Sequence, residues 1–200
     1  NLGADSKITE AVMIPQGVSA TINLASYDVT ATQSDAFEVQ GTLTIDATDE
    51  AVIKAGTDKE NTGSVCAVWA HNGGNVTING GHYIVYEDKD GKRNDCIYAG
   101  SNAKNTSGTI IINGGQFEYG STITQEGLDY NGHLFLLNCA DSQPESSITV
   151  NGGSFKNHVP SYEANGVEEV KLGEGKAVYN STEKVTSAHS GNSEIWYVVK

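Results

Sequence analysis

The chain has 200 residues, enough for one domain or one elongated repeat stack with a real core. Charged residues are 18% of it, which argues against a charge-rich disordered chain, and 23 glycines against 3 prolines point to a Gly-punctuated β protein. No apolar run approaches the roughly 20 residues of a membrane span, and a net charge of −13 makes nucleic acid and anionic membranes poor partners.

In chain order, short segments rich in β-branched and aromatic residues alternate with turns. The first group is 12–14, then Thr21-Ile22-Asn23, then 27–30, with Tyr27 in the aromatic place. The second is 37–39, Thr44-Ile45-Asp46 and 52–54. From the third group the motif is complete. Segment 67–70 precedes Val76-Thr77-Ile78-Asn79-Gly80-Gly81, and 83–86 follows. Segment 97–99 precedes Ile110-Ile111-Ile112-Asn113-Gly114-Gly115, and 117–119 follows. Segment 134–137 precedes Ile148-Thr149-Val150-Asn151-Gly152-Gly153, and 155–156 follows. An aromatic stands two places after each Gly-Gly: Tyr83, Phe117 and Phe155. No segment keeps an apolar period near 3.6, so no helix is expected.

Three short strands cannot bury their own apolar face, but stacked copies can, each strand pairing in parallel with its counterpart in the next copy. Thr77 and Thr149 then face outward while Ile78 and Val150 face inward. The Gly-Gly pair permits positive φ at a tight corner. Amides repeated at that corner form a ladder through Asn23, Asp46, Asn79, Asn113 and Asn151, weakened at Asp46, which accepts but does not donate when ionised.

These Asn-Gly-Gly-x-aromatic copies resemble the right-handed parallel β-helix of the pectate-lyase-like superfamily, as found in secreted gut-bacterial surface proteins and bacteriophage fibres or spikes. The resemblance covers about three-quarters of the chain and implies an all-β, single-stranded right-handed parallel β-helix of about five coils. It also implies an extracellular, cell-surface or virion location. The same scaffold carries lyases, hydrolases, adhesins and inert rods, so it is nearly silent about activity.

The expected division is a parallel β-helix with its amino-terminal cap over 1–157 and a strand-rich C-terminal cap over 158–200. In the cap, 167–172 and 177–179 read as a hairpin about Gly173-Glu174-Gly175, with a final strand over 195–199. The chain starts at Asn1 without a basic-then-apolar leader, so either a leader was removed or the chain is a segment of something longer.

The strongest chemical candidate is the loop over 88–95. Asp88, Asp90 and Asp95 with Gly91 supply oxygen ligands suited to Ca²⁺, although Ala99 stands where a calcium loop needs a bidentate Glu. The plainer reading is a charge-balanced turn. Paired carboxylates such as Asp90 with Glu126 or Asp129 would suit glycoside hydrolysis if a cleft brought them together. Of the histidines, His71, His82, His133, His158 and His189, none has a metal-binding spacing, and surface turns are the expected setting. Cys66, Cys96 and Cys139 are read as stacked buried thiols, with a Cys66–Cys96 bridge as the alternative.

Trp69, Tyr98 and Phe135 take similar places in successive leading segments. Val68 and Ile97 are expected inside, leaving Trp69 and Tyr98 outside as a platform for sugar rings, with Tyr130 from the loop over 120–132. The leading expectation is a non-catalytic module, structural or glycan-binding, whose partner is a glycan or another surface or virion protein. A polysaccharide lyase or hydrolase is the enzyme alternative, and a homotrimeric fibre subunit is a third reading.

Overall fold

A computed structural model gives the architecture and describes residues 1–57, 65–86, 94–101, 106–120, 136–139, 146–160, 170–187, 189 and 194–200. The described residues are all-β, without a helix, and form a β-helix-like stack of three sheets. One sheet runs β1 (Ser6–Ile8), β4 (Val29–Ala31), β7 (Val52–Ala55), β10 (His82–Val85), β13 (Gln116–Tyr119) and β16 (Gly153–Lys156), all parallel. A second holds β2 (Val12–Ile14), β5 (Phe37–Val39), β8 (Val68–Ala70), β11 (Ile97–Ala99) and β14 (Leu137–Cys139). The third holds β3 (Ser19–Ala25), β6 (Thr42–Ala47), β9 (Gly74–Ile78), β12 (Gly108–Ile112), β15 (Ser147–Val150) and β17 (Val170–Leu172). Successive trios such as β8-β9-β10 thus give one strand to each sheet, and every trio is a rung resting on the last.

The period of two decides what each strand buries. Val68 and Ala70 are inside and Trp69 is outside, and Ile97 and Ala99 flank outward Tyr98 in the same way. Parallel register then stacks like on like. Tyr83, Phe117 and Phe155 are fully buried with ring centroids 5.1 and 4.9 Å apart and planes within 9° of parallel. That interval is the strand spacing itself, so the rings continue the backbone repeat into the core. Burial pushes the Tyr83 phenol far above its ordinary pKa, and its hydroxyl donates to the Gly80 carbonyl at 3.0 Å.

The corner uses its two glycines differently. Gly81, Gly115 and Gly153 have φ of 98°, 112° and 115°, a conformation that L side chains rarely adopt. Gly152 has no such φ, but a Cβ there would lie 2.5 Å from the Asn113 carbonyl of the rung before. Outside the corner the ladder runs as bonds from Asn79 Nδ2 to Asp46 Oδ1 (2.7 Å), Asn113 Nδ2 to Asn79 Oδ1 (2.9 Å) and Asn151 Nδ2 to Asn113 Oδ1 (2.9 Å). Asn23 stands in register with Asp46, yet its Oδ1 accepts from the Ala25 amide at 2.9 Å. An ionised carboxylate has no proton to pass on, so the chain of amides stops at Asp46.

Several expectations change. Tyr27 is an exposed turn residue, and Val29 takes the inner place opposite Ile53. The expected hairpin at Gly173 does not form. β17 pairs in parallel with β15 as a further rung, so parallel stacking continues past residue 157, while β18 (Val178–Asn180) belongs to the first sheet. There β20 (Trp196–Val199) lies antiparallel on β16 and carries β18, which pairs with β19 (Glu183–Lys184). This reversal covers the last edge of the first sheet, where an open row of backbone groups would otherwise remain.

Candidate functional site: two outward side-chain columns

Parallel register that stacks the core also stacks what faces out. On the second sheet, Met13, Glu38, Trp69, Tyr98 and Asn138 fall in one column. Two residues beyond Trp69, His71 places Nε2 2.9 Å from Glu38 Oε1, across one rung. The His71 ring stacks on the Trp69 indole at 3.9 Å and 13°, and Tyr98 lies parallel to that indole at 6.3 Å. Trp69 Nε1 donates to the Gly100 carbonyl at 2.8 Å, which fixes the indole's tilt. Asn138 Nδ2 donates to Asp95 Oδ2 at 2.8 Å and continues the strip by one rung.

Trp69 and Tyr98 therefore face outward, half-buried, but the indole already has a ring on one face. The strip presents ring edges and the partly exposed Glu38 carboxylate to solvent, not an open flat platform. The third aromatic place is filled by Asn138, because the register sets Tyr98 opposite Asn138 and Ile97 opposite Leu137. The run Leu134-Phe135-Leu136-Leu137 has no alternation, so its sequence admits several registers, and burial of Leu136, Leu137 and Cys139 selects one. Phe135 and Tyr130 lie outside the described residues.

A second column sits on the first sheet. His82 Nε2 is 2.7 Å from Glu118 Oε1, and Lys156 Nζ donates to Glu118 Oε2 at 3.2 Å and approaches Glu194 Oε1 at 3.2 Å. Partial burial pulls the Lys156 ammonium down, but the two carboxylates together outweigh it and hold its pKa above the ordinary lysine value. Because Glu194 precedes β20, this cluster clamps the antiparallel strand onto the parallel stack. Trp196 meets His82 edge-on at 6.4 Å. The arm to Glu194, whose side chain is 75% exposed, contributes little, on the order of 0.2–1 kcal/mol.

A half-buried acid, Asp35, and buried thiols line the entry to the second sheet. Asp35 accepts from the Cys66 amide, and burial, aided by nearby Glu38, pushes its carboxyl up to about 6 although the Cys66 hydrogen bonds oppose the rise. The three cysteines are buried and form no disulfide, but they do not stack. The Ala67 amide donates to the Cys96 carbonyl, so Cys96 is out of step with Cys66, and Cys139 lies opposite Ala99. Burial, followed by the Asp35 and Asp95 carboxylates, pushes the Cys66 thiol well up; burial and then Asp95 do the same for Cys96. Neither is poised as a thiolate nucleophile.

Of the acidic loop, Asp88 and Asp90 lie outside the described residues, whereas Asp95 is buried and turned toward Asn138. Among the described residues no group of three or more His, Cys, Asp or Glu converges as metal ligands. The histidines depart from the surface-turn expectation: His71 and His158 are buried, and His71 and His82 each face a carboxylate from a neighbouring rung. His189 Nδ1 contacts the Tyr197 hydroxyl at 2.8 Å, and His133 lies outside the described residues. The Glu38–His71 and His82–Glu118 pairs span 33 and 36 residues, so no local motif announces them. Aligning the leading strands would have placed Glu38 beside Trp69, the one signal available. A scan against protein-family models matched no family, and searches of curated proteins and of solved structures returned no match.

Proposed function

We propose that the chain is a segment of right-handed parallel β-helix of about five coils, of the pectate-lyase-like kind. It acts without catalysis, as a structural or glycan-binding module on a bacterial surface or a virion. The observation that carries this reading is the column Glu38, Trp69, Tyr98 and Asn138, with His71 packed between Glu38 and the indole. It offers ring edges and hydrogen-bonding groups at a regular interval of about 4.8 Å along the stack, an arrangement suited to an extended chain of sugars.

The test is a polysaccharide panel read for binding and for release of reducing ends or unsaturated products, with Ca²⁺ and with EDTA. Binding without turnover is expected, and Trp69→Ala combined with Tyr98→Ala is expected to weaken it about tenfold or more while leaving the fold intact. Product release would overturn the non-catalytic reading in favour of a lyase or hydrolase. Loss of binding in EDTA would assign Ca²⁺ to the loop of Asp88, Asp90 and Asp95. No binding to any glycan would leave a structural rod whose partner is another protein.

A further inference from the structure

The lysines and the aromatic strip lie on different sheets. On the first sheet one outward column holds Lys7, Thr30, Lys54, Ile84 and Glu118, and Lys156 bonds to Glu118. On the second sheet the outward column Met13, Glu38, Trp69, Tyr98 and Asn138 holds one carboxylate and no cation. The described residues in and beside those strands, 10–16, 33–41, 65–73, 94–101 and 136–139, include Glu10, Asp35, Glu38 and Asp95 but no Lys or Arg. The segments outside the described residues that flank β8, β11 and β14 in sequence are 58–64, 87–93, 102–105, 121–135 and 140–145. They carry nine carboxylates against five Lys and Arg, so they bring no surplus of positive charge. The acids of the strip act on one another. Burial is the main reason the Asp35 carboxyl is raised, and Glu38 adds to it. Burial likewise leads at the Cys66 thiol, followed by Asp35 and Asp95.

We propose that this strip selects uncharged sugars and excludes acidic ones, with Glu38 as the residue that decides; the inference rests on the glycan-binding reading above and names its ligand class. A carboxylate, sulfate or phosphate on a sugar laid along the column comes against the partly exposed Glu38 carboxylate. Among the described residues of the strip no cation holds it there, and like charges at a partly dehydrated surface repel. A sugar hydroxyl meets the same carboxylate as a donor, and such a charge-assisted bond is stronger than one between neutral groups. The positively polarised edges of the Trp69 and Tyr98 rings suit hydroxyl oxygens. His71 holds Glu38 in place from the inner side, at 2.9 Å. One side chain thus favours one class of ligand and opposes another, which produces specificity.

The test is binding of the whole chain to neutral polysaccharides (glucan, galactan, mannan) and to polyuronates (polygalacturonate, alginate), without added divalent cations. It is run at about pH 8, where histidine side chains as a class are neutral. In about 0.02 M salt the best neutral polymer is expected to bind about tenfold or more tighter than either polyuronate, and the gap to narrow in about 0.5 M salt as charge is screened. Glu38→Gln keeps an oxygen for His71 and is expected to bring a polyuronate within about threefold of the neutral polymer. Glu50→Gln removes an exposed carboxylate elsewhere and is expected to leave the gap as it was, separating Glu38 from net charge. If Glu38→Gln does not fold, Met13→Lys, a cation at the exposed place next to Glu38 in the column, is expected to narrow the gap instead. A polyuronate that binds wild type as tightly as any neutral polymer overturns the selectivity and leaves the glycan-binding reading standing. An unchanged gap in the folded Glu38 variant, or an equal narrowing in Glu50→Gln, also overturns it. Binding of none of these polymers overturns both.

Discussion

The corners closed by β10, β13 and β16 differ from those closed by β4 and β7. In the first set the Asn-Gly-Gly motif is complete, the inner place holds Tyr83, Phe117 or Phe155, and the outer amides bond rung to rung. In the second set the inner places hold Val29 and Ile53, and the ladder ends at Asp46 with Asn23 turned to its own backbone. Backbone pairing is parallel in both. A rung therefore needs only correct alternation to stack, and the motif adds packing and polar order on top of it.

The largest expected break is Phe117→Ala, which empties the centre of the aromatic stack. A loss of about 3–5 kcal/mol is expected for a buried Phe, measured by denaturant unfolding. A loss comparable to that of an exposed side chain would mean that the rings do not hold these rungs together.

Next comes pH. The Asp35 carboxyl titrates at about 6 in the folded chain against an ordinary 3.8, so between those values the folded state binds the proton more tightly. Its contribution is fully present below the unfolded value and is lost as pH rises through about 6. Stability should fall by up to about 3 kcal/mol over that window, and Asp35→Asn should flatten that part of the curve. An unchanged slope in the variant would assign the titration elsewhere.

Within the complete corners, the first glycine should tolerate a methyl group unequally. A Cβ at Gly152 lies 2.5 Å from the Asn113 carbonyl, whereas one at Gly114 lies 3.3 Å from that of Asn79. Gly152→Ala is expected to cost about 1–3 kcal/mol and Gly114→Ala less, by thermal melting of the two variants side by side. Equal costs would show that the rungs shift freely against each other.

The smallest effect belongs to the ladder. A buried ladder would make Asn113→Ala cost about 1–3 kcal/mol through unsatisfied partners. The ladder is instead exposed, and water can replace the lost bonds. The expected cost is about 0.5–1.5 kcal/mol. A melting temperature equal to wild type would reduce the ladder to a passive consequence of register.

Much of this was legible in the chain. Positions of β2, β5 and β11 follow from local alternation, as does the inward turn of Val68 and Ile97. Asn79, Asn113 and Asn151 bond as their repeated corner predicts. The outward columns were only half legible. Trp69 and Tyr98 could be set outside, but Glu38, His71, Glu118 and Lys156 meet only because separate rungs lie in one register. Turns of unequal length separate those rungs, and turn length does not convert into register by inspection.

The sequence by itself determined the repeat, the inside and outside of the strands that alternate cleanly, and the corner where the second glycine takes a positive φ. These are local matters of φ and of a period of two. The tertiary structure decided which side chains share an outward column, that Asn138 rather than Phe135 follows Tyr98, and that the segment after Asn151 adds a rung instead of a hairpin. Each of those is a contest between distant partners. Its outcome depends on total burial and on satisfying strand edges, quantities that exist only once the rungs are stacked.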